Sequence, residues 1–97
     1  MEKLRWHYKN GHFEEYSVLY KDDDYILVQN DETKSFSFGP RYNFGSLYGF
    51  PVNTSCLTAK EAITELREWI KIDMGFSLSA IGRWSCMIEA IKNVEKI

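Results

Sequence analysis

Two histidines and a run of acids are the residues best suited to acid–base or metal chemistry. His7 and His12 precede three aspartates at positions 22–24, and imidazole and carboxylate groups together can bind a divalent metal ion or transfer a proton. Their spacing matches no metal-ligand pattern, and the aspartates lack the glycine and later glutamate of a calcium loop. In a tight hairpin, His7 would lie opposite Glu14 as a solvated cross-strand pair. We therefore predict no metal, no cofactor and no catalytic residue, and a small enzyme using His7 or His12 is the weakest hypothesis.

The two cysteines, Cys56 and Cys86, carry the thiols that a zinc site or a covalent catalyst would need. They lack Cys-x-x-Cys spacing, and neither has a histidine in its own supersecondary unit. The first residues show no signal peptide, and no apolar run reaches the roughly 18 residues of a membrane span. We therefore predict two free thiols in a cytoplasmic protein that makes no membrane contact.

Aromatic residues are concentrated in a glycine-rich segment at 39–57. With one arginine they form a candidate partner-binding set: Arg41, Tyr42, Phe44, Tyr48 and Phe50. Such residues are enriched at protein interfaces because they give a large contact area with a polar end. They could instead stack on nucleic-acid bases, but such sites usually lie in a basic groove. A third interpretation, a small satellite core at the end of a sheet, also stays open.

Acidic residues are concentrated in the first half of the chain, although the net charge is only −2. Between His12 and Glu32 there is one base, Lys21, and there are seven acids: Glu14, Glu15, Asp22, Asp23, Asp24, Asp31 and Glu32. The remainder of the chain is therefore net positive. Charge asymmetry of this kind steers partners rather than specifying a fold. We predict that Glu14, Glu15 and the three aspartates attract a protein with a basic surface.

A stripe of small residues marks the last predicted helix. Gly82, Cys86 and Ala90 recur every four residues, on the side away from the bulky Trp84 and Ile88. Small side chains permit close backbone approach, and glycine inside a helix costs about 1 kcal/mol relative to alanine. The first helix or a second copy of the chain could pack there, or the face is simply exposed. The sequence is thus consistent with a monomer or with a dimer through this face.

The first half of the chain has the pattern of an antiparallel meander. Residues 4–9 alternate between apolar and polar side chains, and Asn10-Gly11 favours a two-residue hairpin turn. That turn would place Tyr8 opposite Phe13, and a β-bulge near residues 14–15 would then bring the apolar residues at 16, 18 and 20 to one face. The alternative is a second strand that is buried on both faces. Short apolar runs at 25–28 and 36–38 predict two further strands, and Gly39-Pro40 ends the last of them.

The second half of the chain has helical periodicity. Thr58 and Glu61 form a capping box, and two apolar stripes at helical spacing predict helices over 59–73 and 78–95. The predicted fold is α+β: a four-stranded antiparallel β-meander (4–38), an aromatic and glycine-rich loop (39–57) with a short strand near 47–52, and a helical hairpin (58–96). Both helices pack on one face of the sheet, within a single domain of residues 1–97.

These features favour a protein-binding role. In size, mild acidity and aromatic loop the chain resembles, in general style only, small inhibitors such as toxin-immunity and phage counter-defence proteins. The leading hypothesis is a stoichiometric inhibitor or adaptor, in which acidic hairpins steer the chain to a basic site on another protein. The second is a nucleic-acid-binding accessory protein that uses the basic remainder of the chain.

Overall fold

The chain folds as an antiparallel sheet followed by two helices. The computed structural model describes residues 2–7, 10–40, 54–73 and 78–95. Its elements are β1 (Lys3–His7), β2 (Phe13–Lys21), β3 (Tyr25–Asn30), β4 (Phe36–Pro40), β5 (Thr54–Leu57), α1 (Ala59–Asp73) and α2 (Leu78–Glu95). The strands lie in sequence order in one sheet, and each pairs antiparallel with the next. The predicted α+β meander and both helices are confirmed.

A fifth strand extends the four that the sequence predicts. Thr54–Leu57 pairs with β4, with Phe38 opposite Thr54 and Phe36 opposite Leu57. These four residues fall in the segment predicted as loop, because a strand this short has too few residues to show a period of two. Only the pairing of these residues with β4 identifies them as a strand. The short strand predicted near 47–52 lies outside the described residues.

The register of the first hairpin differs by one residue from the prediction. His7 lies opposite Phe13, so His7 is not paired with Glu14. Gly11 has a φ of +87°, as expected for the turn, but the backbone N–H of His12 donates to Asn10 Oδ1 at 2.9 Å. This local side-chain hydrogen bond holds His12 in the turn and lengthens the connection.

The predicted β-bulge exists, but in a different place. The pairing of β1 with β2 is regular, and the shift falls in β2 between Val18 and Tyr20, which lie opposite Val28 and Leu27 respectively. Because a bulge adds a residue to one strand, it exchanges the faces of the side chains that follow it. Tyr16 and Val18 therefore lie on one face and Tyr20 on the other. The prediction that all three share a face was wrong, and β2 contributes to both faces.

The main core lies between the helices and one face of the sheet. Its buried residues are Leu27, Phe36, Phe38, Ala62, Leu66, Trp84, Met87, Ile88 and Ile91. Trp84 is only 1% exposed and stacks on the partly buried Trp69, with ring centroids 5.6 Å apart. A second cluster of Tyr16, Ile26 and Val28 is buried on the opposite face. The helical stripes predicted from the sequence thus face the core as expected.

The predicted capping box at the start of α1 is present in the structure. The backbone N–H of Glu61 donates to Thr58 Oγ1 at 3.2 Å, and the backbone N–H of Thr58 donates to Glu61 Oε1 at 3.4 Å, which confirms the cap.

In the small-residue stripe of α2, Gly82 faces open space, and Cys86 is an exposed free thiol. Among the described residues nothing packs closely against Gly82, so a dimer through this face stays a prediction. In those same ranges no helix is long and apolar enough to cross a bilayer.

The burial of the helical faces predicts how core substitutions change the free energy of unfolding. Leu66 is fully buried and Ile88 is 7% exposed, so Leu66→Ala or Ile88→Ala should lower the free energy of unfolding by about 2–5 kcal/mol. Leu78→Ala is the control, because Leu78 is helical but 87% exposed, and it should change stability by less than about 0.5 kcal/mol. Urea denaturation measures all three. A loss below about 1 kcal/mol at both buried sites would contradict the assigned core.

Candidate partner-binding surface

The predicted site residues fall into three groups in the chain. Glu14 and Glu15 lie on β2, and the aspartates at 22–24 form the turn between β2 and β3. The aromatic set comprises Arg41, Tyr42, Phe44, Tyr48 and Phe50 and lies outside the described residues. Its role as interface or core therefore stays a prediction. The described surface is built by the two acidic groups.

Asp22 anchors the turn between β2 and β3. Its Oδ1 accepts the backbone N–H groups of Asp24 and Tyr25, each at 2.7 Å. Its Oδ2 accepts the Tyr20 hydroxyl at 2.7 Å and the Nε–H of Arg83 from α2 at 2.6 Å. Arg83 Nη2 also donates to Asp24 at 3.3 Å. The turn is thereby attached to α2 by a hydrogen-bonded ion pair.

The environment of this ion pair shifts the pKa values of its members. Burial raises the pKa of Tyr20 to about 12, and its hydrogen bond to Asp22 acts in the same direction. Burial alone would raise the pKa of Asp22, but hydrogen bonds from Tyr20, the turn backbone and Arg83 outweigh it and lower that pKa. The Arg83 guanidinium also lies over the Tyr25 ring, 4.8 Å from its centroid. Asp22 is thus held ionised and has a structural role, while Asp23 is exposed.

A second acidic group surrounds a shallow groove of about 300 Å3, which we call the acidic groove. Its lining residues come from β2 and the β3–β4 turn: Phe13, Glu14, Glu15, Asn30, Asp31 and Glu32. The one-residue register change brings Phe13 opposite His7, with ring centroids 5.7 Å apart. Phe13 remains 45% exposed. The groove therefore combines four carboxylates with an accessible aromatic ring.

Intramolecular contacts hold the carboxylates of β2 in position. Glu14 accepts the Tyr16 hydroxyl and the Asn30 amide. Glu15 pairs with Arg5 on β1, and the Arg5 guanidinium lies 4.5 Å from the centroid of the Phe13 ring. Charge-assisted hydrogen bonds and a cation–π contact thus fix this side of the acidic groove.

The other side of the acidic groove depends on the β3–β4 turn. Asn30 Oδ1 accepts the backbone N–H groups of Glu32 and Thr33, each at 2.9 Å, which is the local pattern expected of asparagine in a turn. Asp31 accepts Lys3 Nζ at 2.8 Å and the Ser17 hydroxyl at 2.6 Å, and these bonds lower its pKa. Glu32 is exposed.

Glu14 and Glu15 belong to the partner-binding set predicted from the sequence. That set lacks the four other residues that line the acidic groove: Phe13, Asn30, Asp31 and Glu32. Phe13 was missed because the expected hairpin register was one residue away. The role of Asp31 was missed because its partner Lys3 is remote in sequence. Only the Asn30-Asp31 turn carried a local signal.

Histidines and acids do not form a metal centre in the described parts of the chain, where no group of three or more suitable ligands occurs. His7 and His12 lie at the first hairpin, and among the described residues His7 contacts the Phe13 ring and forms no ion pair. What the acidic groove offers chemically is hydrogen-bond acceptance and negative charge. These properties suit a lysine or arginine side chain.

The Asp22–Arg83 pair predicts an acid-sensitive contribution to stability. Asp22→Asn should lower the free energy of unfolding by about 1–3 kcal/mol at neutral pH, since it leaves Arg83 without its charged partner. The folded-state pKa of Asp22 lies below its ordinary value of 3.8. The difference from wild type should therefore persist above that pH and shrink as the pH falls below it.

Denaturation at several pH values tests this prediction. Asp23→Asn is the matched control, because the neighbouring side chain is exposed, and it should stay within about 0.5 kcal/mol of wild type throughout. A difference for Asp22→Asn that is independent of pH would contradict the assigned ion pair.

Comparison with known proteins identifies no relative of this chain. Neither a protein-family model, nor a curated protein, nor a solved structure matches the chain. The function is therefore inferred from the surface itself.

Proposed function

We propose that this chain is a small stoichiometric protein-binding inhibitor or adaptor whose acidic groove receives a basic segment of its partner. The observation that carries the proposal is the placement of four carboxylates around an accessible aromatic ring, in a groove of about 300 Å3. A groove of this size lies at the lower end of the range for ligand pockets and has room for one or two side chains. Lysine and arginine fit it best, because each brings positive charge on an apolar stem.

Preorganisation supports this proposal. Glu14, Glu15 and Asp31 are already hydrogen-bonded within the chain, so a partner would not have to order them. Avoiding that loss of side-chain entropy favours binding. Phe13 supplies apolar area beside these charges, and exposed aromatic side chains are frequent anchors of interfaces. The aromatic set between 41 and 50 would add further anchors to the same partner.

Internal pairing limits how much the acids can attract a partner. Lys3, Arg5 and Arg83 form ion pairs with four of the seven acids in the segment from His12 to Glu32. Glu32 forms no ion pair with a described residue and lies at the acidic groove. Exposed charges interact weakly and are screened beyond about 8–10 Å at physiological salt. We therefore expect the acids to raise the association rate and Phe13 to prolong the complex.

Charge reversal at the groove tests the steering part of the proposal. Glu32→Lys should lower the association rate constant about threefold or more at low salt and flatten its salt dependence, with little effect on dissociation. Glu65→Lys is the matched control, since Glu65 is also exposed but lies on α1 and is not part of the groove lining. The partner is first identified by crosslinking and affinity capture from the source cells. Surface plasmon resonance of the purified pair then gives both rate constants.

Truncation of the aromatic ring tests the anchor. Phe13→Ala should increase the dissociation rate constant by about tenfold or more while the folded spectrum is retained, because the ring is half-exposed. The proposal fails if Glu32→Lys and Glu65→Lys have equal effects and Phe13→Ala leaves dissociation unchanged. It also fails if the captured material contains no protein at a stoichiometric ratio.

A further inference from the structure

A second groove, which we call the basic groove, lies between α1 and the end of α2. It encloses about 500 Å3, and three bases line it: Lys60, Arg67 and Lys92. Ala59 and Ile63 form its apolar part, and Glu95 is its one described acid. Ala59 and Ile63 also pack against the main core. The basic groove thus has an apolar floor that continues from the core and a positively charged rim.

Helix geometry explains why these residues meet. Lys60, Ile63 and Arg67 stand at i, i+3 and i+7 and so share one face of α1. Lys60 and Arg67 are two helical turns apart, about 10 Å along the axis. Lys92 lies near the C-terminal end of α2, which packs beside α1. The bases therefore flank the apolar floor from both helices.

The bases of this groove differ from most other described bases because they lack acidic partners within the described ranges. Lys3, Arg5, Lys21, Lys71 and Arg83 each form an ion pair. By contrast, the three bases of the basic groove form no ion pair with any residue in the described ranges. Positive charge beside an accessible apolar floor is therefore left for a ligand to complement.

We infer that the basic groove binds an acidic peptide segment of another protein, one that carries an apolar side chain between its carboxylates. The apolar side chain would cover Ile63, and the carboxylates would meet Lys60, Arg67 and Lys92. A single-stranded nucleic acid would satisfy the same bases, but such ligands also need aromatic side chains for base stacking. The described lining contains no aromatic residue, and this favours the peptide.

This second site stands independently of the acidic groove. The two grooves share no described lining residue and carry opposite charge. They would recognise different segments, so a chain with both would be an adaptor that joins two ligands. Failure of the acidic groove to bind would leave this inference intact, and the reverse also holds.

Fluorescence anisotropy with a defined probe tests the inference. The probe is a short fluorescein-labelled peptide of glutamate and leucine, compared with a lysine and leucine peptide and a single-stranded oligonucleotide. Arg67→Glu should weaken binding of the acidic peptide about fivefold or more at low salt. Lys34→Glu is the matched control, because it makes the same charge change at an exposed residue in the β3–β4 turn. Its affinity for the acidic peptide should stay within about twofold of wild type.

A substitution that makes the basic groove more positive distinguishes binding in the groove from a general effect of net charge. Glu95→Gln removes the acid at the groove and should tighten binding of the acidic peptide about twofold. Glu89→Gln changes the charge equally on the same helix but lies outside the lining, and it should have no effect. Amide shifts in two-dimensional NMR should move at Ala59 and Ile63 when the peptide is added.

Three outcomes would overturn the inference. The first is equal binding of the acidic peptide to wild type and Arg67→Glu. The second is tighter binding of the oligonucleotide than of the acidic peptide, which would assign the groove to nucleic acid. The third is no amide shift at Ala59 and Ile63 at saturating peptide. Circular dichroism of each variant establishes that a loss of binding does not come from unfolding.

Discussion

The hydrogen-bonded ion pair between Arg83 and Asp22 attaches α2 to the turn between β2 and β3. Asp22 accepts hydrogen bonds from two backbone N–H groups, from the Tyr20 hydroxyl and from Arg83. Its neighbourhood is partly buried, so an unpartnered charge would be costly there, and removing either partner costs more than the net value of the pair. Next to Arg83 in the chain, Trp84 enters the core and contacts the rings of Tyr25, Phe38 and Trp69. Polar and apolar contacts from successive residues of α2 therefore fix the same position.

The bulge in β2 makes this attachment compatible with the acidic groove. Before the bulge, Tyr16 lies on the face away from the helices and hydrogen-bonds Glu14. After it, Tyr20 lies on the helical face and reaches Asp22. A regular strand would place both tyrosines on one face, and Tyr20 would then not lie on the helical face. A single extra residue thus allows one strand to support the acidic groove and the helical attachment together.

Sequence information was sufficient where structure is locally determined. Both helices, the Thr58 cap and the order of the strands follow from periodicity and turn residues within a few positions. The hairpin register was not predictable in the same way, because the Asn10 side chain competes with strand pairing for the N–H of His12. The bulge is set by pairing between β2 and β3, which a single strand does not reveal.

The candidate site depended even more on remote contacts. Lys3 and Asp31 are 28 residues apart, and Arg83 and Asp22 are 61 apart. Local charge counting therefore found the acidic segment but overestimated its unpaired charge. The same limitation concealed the basic groove, whose bases come from two helices. Only the fold shows which charges are already neutralised and which are left for a ligand.

Two grooves of opposite charge on one chain raise the question of self-association. A contact between the acidic groove of one copy and the basic groove of the next would be head-to-tail, and such contacts build rings or open filaments. Shape works against this. Both sites are concave, so the bases that line the basic groove do not project into the acidic groove of another copy, whereas an extended segment of a partner can enter either groove. The basic groove is lined by three bases without a described ion-pair partner and by one acid, Glu95, so it retains a net positive charge that a ligand with free carboxylates can complement.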